Sequence, residues 1–309
     1  MKTLFTNCKI YNGSGSDAFM GEVLVENDKI IEVSVKCQGE SDNIVDLNGL
    51  SLSSGFIDCH SHNDWFACRT DSKKFFVPFV EQGITTFVCG NCGLSAMGYE
   101  KSSATRDVIG GGLFSVQNTE KDCGNVAEYF DFIDKNTNLN IATLVGHCTA
   151  RASVAGDRAE ITADEQQKML EILEENLQQG ACGISLGLMY VPGIYSNLEE
   201  LKAVAKLCEK YDKVLTVHPR ANSSVSMAYP ELLGRSHLLR AMDELVEVTK
   251  GLKVKLQYSH AIFVGKNSFK CNDECLEIIE NMRKNGVDAM FDIYAEDMGV
   301  SVITVILPG

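Results

Sequence analysis

From Gly55 onward, short apolar runs bounded by glycine or polar residues alternate with amphipathic stretches of helical length. The strand-like runs cover residues 55–58, 85–89, 141–145, 183–186, 214–217, 254–258 and 287–293. Near-continuous apolar runs of this length suit parallel strands buried on both faces. The clearest helical segment, 162–179, opens on Thr162 with Glu165 three residues later, a capping box, and Gly180 follows it. Segments 197–210 and 272–285 are similarly amphipathic, and 120–134 carries an aromatic helical pattern through Tyr129, Phe130 and Phe132. Alternating β and α units imply a parallel sheet joined by helical crossovers. With candidate chemistry after nearly every strand, the pattern points to a TIM-like (β/α)8 barrel rather than an open doubly wound sheet. About seven strands are readable, so the barrel is expected to be incomplete. The Gly- and Ser-rich stretch 102–118 is expected to loop over the barrel mouth.

Residues 1–52 lack a helical period. Candidate strands at 4–11, 22–26 and 29–35, with a turn at Glu26-Asn27-Asp28, suggest part of a small β-sandwich. The expected domains are therefore 1–52 and 53–309.

The composition is that of an ordinary globular chain, 45% apolar and 23% charged. A net charge of −14 disfavours nucleic acid as a partner. No apolar run reaches the roughly 18 residues that span a bilayer, and the first residues lack the apolar core of a signal peptide. The 12 cysteines, several inside apolar strands, read as reduced thiols in a cytoplasmic protein.

The sharpest chemical signal is GFIDCHSHND at residues 55–64. Side chains two apart on a strand share a face, so His60 and His62 can close on one ion, with Asp58 on the same face. Cys92, in FVCGNCG, offers a thiolate; an inert buried cysteine or a redox pair with Cys89 are the competing readings. A zinc ribbon with Cys271 and Cys275 does not fit, because those lie on an apparent helix. His218 ends a strand in VLTVHPR and His260 follows one in LQYSH. With Cys92 they form a sulfur–nitrogen–nitrogen set suited to a tetrahedral zinc with an open position. Arg220 could hold a substrate carboxylate, or be a solvated arginine. Tyr190, in GLMYVPG, could line a pocket, or pack in its loop. His147, in LVGHCTAR, reads as a substrate contact or a donor behind the ligands rather than a ligand. His237 reads as incidental.

Taken in order, GFIDCHSHND, GITTFVCGNCG, LVGHCTAR, GISLGLMYVPGIYS, VHPR and YSH resemble the N-acyl-D-amino-acid deacylases (D-aminoacylases) of the amidohydrolase superfamily. The resemblance implies a zinc-bearing barrel with a small β-sandwich, hydrolysing the amide of small N-acyl-D-amino acids. It implies that Cys92, His218 and His260 hold a tight zinc, with His60 and His62 forming a second, weaker site that shares Cys92. The fourth strand reads GISLGLM, without the lysine that bridges two metals in dihydroorotase-like relatives. Two departures count. Ile262 stands where the family commonly has a lysine that meets the substrate carboxylate, which leaves D against L selectivity open. The family's acid–base aspartate follows strand eight, and residues 302–309 carry no acid. The expectation is therefore that no catalytic acid lies within the chain and that strand eight falls beyond residue 309. Another amidohydrolase activity, on a dipeptide, an N-acyl-L-amino acid or a cyclic amide, stays open. So does a metal-binding fragment with little turnover.

Overall fold

The computed structural model describes residues 1–309 except 111, 112, 116–118, 232 and 300–309. The stretch 302–309 lies outside the described residues, as does part of the 102–118 loop. The chain forms two compact units, Met1–Phe56 and the residues from Ile57 onward.

In the first unit, β1 (Lys2–Tyr11), β2 (Phe19–Glu26) and β3 (Lys29–Ser34) form an antiparallel meander. Asn27 turns between β2 and β3 at φ 56°, a left-handed conformation that asparagine tolerates well. Two further strands, β4 (Asn43–Asp46) and β5 (Ser51–Ser53), run parallel to β1. At four and three residues they are too short to show an alternating period, which is why the sequence does not announce them. Cys8, Ile10 and Val23 form this unit's core, packed by Phe5, Phe19, Val25, Leu47 and Leu52.

The second unit is built on seven strands in sequential order: β6 (Phe56–Asp58), β7 (Ile84–Cys89), β8 (Asn140–Gly146), β9 (Gly183–Gly187), β10 (Val214–His218), β11 (Lys255–Tyr258) and β12 (Asp288–Phe291). Pairing from β7 through β12 is parallel throughout. The result is a curled, open sheet, an incomplete barrel. The short helices α1 (Asp64–Ala67), α2 (Ser72–Phe75) and α3 (Val77–Glu81) lie between β6 and β7. The other connections carry α4 (Val126–Asn136), α5 (His147–Ala155), α6 (Ala163–Gln178), α7 (Leu198–Lys210), α8 (His237–Thr249) and α9 (Asn272–Lys284). Among the described residues, no helix is long and apolar enough to cross a membrane.

Burial grades across the sheet. Every residue of the central β9 is buried, whereas the end strands leave Phe56, Ile57 and Met290 more than half exposed. A sheet end has no neighbour to cover its apolar side chains or to pair its backbone.

The capping box of α6 is present: Thr162 Oγ1 accepts from the Glu165 amide at 3.2 Å and the Glu165 carboxylate accepts from the Thr162 amide at 2.8 Å. The aromatic helix begins later than its pattern suggests. Gly124 precedes it, and the Asn125 side chain caps α4 by accepting from Glu128 N at 3.0 Å. Helix α5 was not legible because it is buried nearly all round, so it shows no apolar stripe.

Candidate metal centre

Four of the expected donor positions follow strands of the second unit. His60 lies two residues beyond β6, Cys92 three beyond β7 and His260 two beyond β11, while His218 is the last residue of β10. Loops at the carboxyl ends of parallel strands converge, so residues remote in sequence meet there.

The Cys92 loop is pressed against the end of β9. A Cβ on Gly187 would sit 2.0 Å from the Cys92 carbonyl oxygen, and one on Gly93 (φ 75°) would sit 2.5 Å from Gly187 N. Only glycine allows this approach. Ser185 Oγ accepts from Gly93 N at 2.9 Å, and the buried Asp64 carboxylate accepts from Ala96 N at 2.8 Å. These bonds hold the loop that carries the thiol from β9 and from α1.

The donors His60, Cys92 and His260 come together, with one candidate ligand atom from each lying within 4.8 Å of the others. Cys92 Sγ is 3.3 Å from His60 Nε2 and 3.7 Å from His260 Nε2. The His260 ring lies 4.4 Å from that of His218, and the His60 ring 5.8 Å from that of His62. All four imidazoles therefore line one locus, although His62 and His218 stand outside the tight three-residue group. Tyr190 Oη is 3.2 Å from His218 Nδ1. Phe114 packs 5.3 Å from the His62 ring and stacks on Trp65.

Two features mark this cluster as more than core packing. First, His60 Nδ1, His62 Nδ1, His218 Nε2 and His260 Nδ1 are all buried without a hydrogen-bond partner, four such atoms at one locus, and buried polar atoms are rarely left so. Second, Cys92 and His260 both have left-handed backbones, at φ 55° and 36°. For residues with a Cβ this costs on the order of 1–2 kcal/mol each, and such strain gathers at functional sites.

The electrostatics suit neutral donors. Burial, then the neighbouring imidazoles of His60 and His260, pulls His62 down to about 3. His260 falls to about 4, chiefly through burial and then the nearby His60. His218 is pushed well below its usual value by burial and by the other histidines. Neutral imidazole is the form that binds a metal. Burial, with Asp292 and Cys148 beside it, pushes the Cys92 thiol upward. A thiol in such surroundings ionises only when a cation's charge is at hand. One sulfur and several neutral imidazoles form a donor set that fits a borderline-soft divalent ion such as zinc.

Asp292 was not singled out from the sequence. It follows β12 directly, and its Oδ1 lies 3.1 Å from His60 Nδ1 and accepts from His260 N at 2.8 Å. Burial would raise its pKa, but the contacts with His60, Gln257 and the His260 amide hold it below the usual carboxylate value. The signal was available: the run 287–293 reads as a strand with an acid near its end, where the histidines of other strands sit.

Three sequence-derived candidates are placed differently from the donors. Arg220 is buried, and its guanidinium bonds Glu244 through Nε at 3.0 Å and Nη2 at 2.9 Å, the Ser196 carbonyl at 3.0 Å and the Ile194 carbonyl. Most of its donors are thus committed to the protein, and a solvated arginine it is not. His147 begins α5 rather than ending a strand, and its Nε2 meets Glu200 Oε1 at 2.7 Å. It is not in the donor group. His237 is satisfied locally, accepting from Ser226 N at 2.8 Å and bonding the Glu231 carbonyl.

Comparison with known proteins agrees with this architecture. D-aminoacylase of Alcaligenes xylosoxydans xylosoxydans is 28% identical over 276 residues, 88% of this chain and 52% of its own length. N-acyl-D-glutamate deacylase of the same organism is 26% identical over 291 residues, 92% of this chain and 55% of its own. The crystal structure of N-acyl-D-glutamate deacylase from Bordetella bronchiseptica, complexed with zinc and a phosphonate inhibitor, superposes with a TM-score of 0.76 at 26% identity, covering 95% of this chain and 58% of that one. A crystal structure of D-aminoacylase gives 0.79 at 27% identity, with the same coverage. This chain spans about half the length of the relatives it matches. The amidohydrolase family model matches residues 43–232, more than half of the 309, and the chain belongs to the amidohydrolase family.

Proposed function

We propose that the second unit carries the zinc centre of an amide hydrolase acting on small N-acyl amino acids, with N-acyl-D-amino acids as the first substrate class to test. The observation that carries this reading is the convergence of His60, Cys92 and His260 to within 4.8 Å, with partnerless ring nitrogens on His218 and His62 beside them. The relatives are named as D-aminoacylase and as deacylases of N-acyl-D-aspartate and N-acyl-D-glutamate. Cys92, His218 and His260 are the proposed tight ligands, and His60 and His62, sharing Cys92, the proposed weaker ones. Zinc held there would polarise an amide carbonyl and lower the pKa of water toward ~7.

The chain's own residues do the rest. The buried imidazoles stay neutral and present lone pairs. Tyr190, hydrogen-bonded to His218, stands where its hydroxyl can also meet a substrate oxygen. Buried Trp65, stacked on half-buried Phe114 beside His62, lines one wall with apolar surface. With its guanidinium anchored to Glu244 and two carbonyls, Arg220 serves the shape of the Tyr190 loop more readily than a substrate carboxylate.

A second reading, metal binding with little turnover, is favoured by one observation. The donor group contains no carboxylate, and Asp292 approaches the Nδ1 side of His60 while Nε2 of the same ring faces Cys92. Asp292 is therefore poorly placed to take a proton from water at the donors. Zinc content and hydrolysis of N-acetyl-D- and N-acetyl-L-amino acids, measured on the 309-residue chain, separate the readings. Zinc-dependent turnover of D substrates supports the hydrolase. Stoichiometric zinc without turnover of either panel supports the second reading, and no zinc at all removes both.

A further inference from the structure

We infer that Asp292 is a positioning residue for the donor cluster, setting the tautomer of His60 and holding the backbone of His260, so that cation affinity depends on a residue that is not itself a ligand. The inference rests on the metal-centre reading above.

The geometry is specific. His60 offers Nε2 toward Cys92 Sγ at 3.3 Å, and its Nδ1 lies 3.1 Å from Asp292 Oδ1, an electrostatic contact short of hydrogen-bond alignment. The two ring nitrogens point to opposite sides, so a carboxylate at Nδ1 draws the proton there and leaves the Nε2 lone pair aimed at the sulfur. The same Oδ1 accepts from His260 N at 2.8 Å. His260 holds a left-handed backbone that histidine seldom adopts unaided, and a charge-assisted bond to its amide opposes relaxation. One oxygen thus serves two of the three clustered donors.

Asp292 is itself fixed. Gln257 Nε2 donates to Oδ2 at 2.8 Å, Asp292 N donates to the Tyr258 carbonyl at 3.2 Å, and Ala261 N donates to the Asp292 carbonyl at 2.7 Å. Its side chain is only 8% exposed. From the opposite direction Asp58 Oδ1 accepts from His60 N at 3.2 Å, so backbone and ring of His60 are held by different acids. A carboxylate so buried, with Oδ1 shared by two donor histidines and Oδ2 held by Gln257, is arranged to orient them.

The test uses the 309-residue chain as wild type, Asp292→Asn, Asp292→Ala and Cys92→Ala. Zinc and cobalt affinities are measured by competition with a chromophoric chelator, and thermal melts of the metal-free proteins check folding. The expected result is a 10–100-fold loss of affinity in Asp292→Asn, at least as large in Asp292→Ala, and loss of the cobalt–thiolate absorption in Cys92→Ala. Long-range 1H–15N spectra of the metal-free chain should show His60 protonated at Nδ1 in wild type and a tautomer mixture in Asp292→Ala. Should the alanine variant fail to fold, the isosteric asparagine carries the affinity test. Affinities within threefold of wild type in both Asp292 variants, with metal lost in Cys92→Ala, overturn the role of Asp292 and leave the metal centre standing. Equal metal binding by wild type and Cys92→Ala overturns the centre and the inference together. An unchanged His60 tautomer overturns the inference with or without metal.

Discussion

Histidines at the carboxyl ends of strands stand in two settings, and the settings are built on opposite principles. Around His147 each charge is paired, although its Nδ1, like a nitrogen on each donor histidine, has no hydrogen-bond partner. Its Nε2 meets Glu200 at 2.7 Å, Arg151 Nε reaches the same carboxylate at 3.2 Å, and Ser196 Oγ donates to it at 2.9 Å. The remaining Arg151 nitrogens bond the carbonyls of Arg158 and Ala159. Around Cys92, buried ring nitrogens lack partners and two donors carry left-handed backbones. The ion-paired group holds the fold. The other gathers four partnerless ring nitrogens beside two left-handed backbones, as expected of a group built to meet a ligand. Sequence position alone, a histidine after a strand, does not tell the two apart.

The largest expected effect lies in the ion-paired group. Burial alone would lower the pKa of His147, but its bonds to Cys148 and Glu200 outweigh that and lift it to about 9. Burial raises Glu200, but His147 and Arg151 win and bring it to about 2. Both groups are therefore charged, and removing the carboxylate strands a buried cation. Glu200→Gln should cost about 3–5 kcal/mol in urea unfolding. The sign of the pH dependence follows. His147 is raised above its ordinary 6.5, so its contribution is complete below that value and is lost as pH rises through about 9. Glu200 is lowered from 4.5, so its contribution is complete above that value and is lost as pH falls toward about 2. Stability from this group should be flat between those ordinary values and decline toward alkaline pH. That alkaline decline should shrink in Glu200→Gln; an identical profile in both proteins would mean that the network is not charged.

A smaller effect is expected where the two groups adjoin in sequence. Ser196, which donates to Glu200, also offers its carbonyl to Arg220, and Arg220 ties that loop to Glu244. Lysine cannot reproduce a fork that reaches Glu244 and two carbonyls together. Arg220→Lys should lose about 1.5–3 kcal/mol and speed hydrogen exchange at the Tyr190 and Ile194 amides, which bond within that loop. Had Arg220 been a free substrate anchor, stability and exchange would be unchanged and only substrate binding would suffer.

The comparison also explains what could be read beforehand. The strand–helix alternation was legible because buried parallel strands are apolar throughout and α6, α7 and α9 keep polar outer faces. His60, Cys92, His218 and His260 were legible as candidates because each follows a strand. Helix α5 was hidden by its near-complete burial, and β4 and β5 by their brevity. Asp292 was hidden for a different reason: an acid beside a strand end reads as a solvent-facing terminus until another strand brings His60 to it. Arg220 showed its charge in the sequence but not its partner, since Glu244 lies 24 residues on, in α8. What escaped in each case was a tertiary pairing, which no local period encodes.

The smallest expected effect is the most pointed, because its sign opposes the usual result of mutating a half-buried residue. His260 pays for its left-handed φ of 36° only if something is gained, and in the metal-free chain its Nδ1 has no partner. Asparagine tolerates that conformation better and keeps the backbone amide that donates to Asp292. His260→Asn should therefore leave the metal-free chain as stable as wild type or stabilise it by about 0.5–1 kcal/mol, while weakening zinc binding. Glu200→Gln, by contrast, should destabilise the chain and leave the zinc stoichiometry of the folded fraction unchanged. Opposite signs in the two variants are what the division between the ion-paired histidine and the donor histidines requires. A loss of more than about 1 kcal/mol in metal-free His260→Asn would place His260 among the packing residues and erase the distinction.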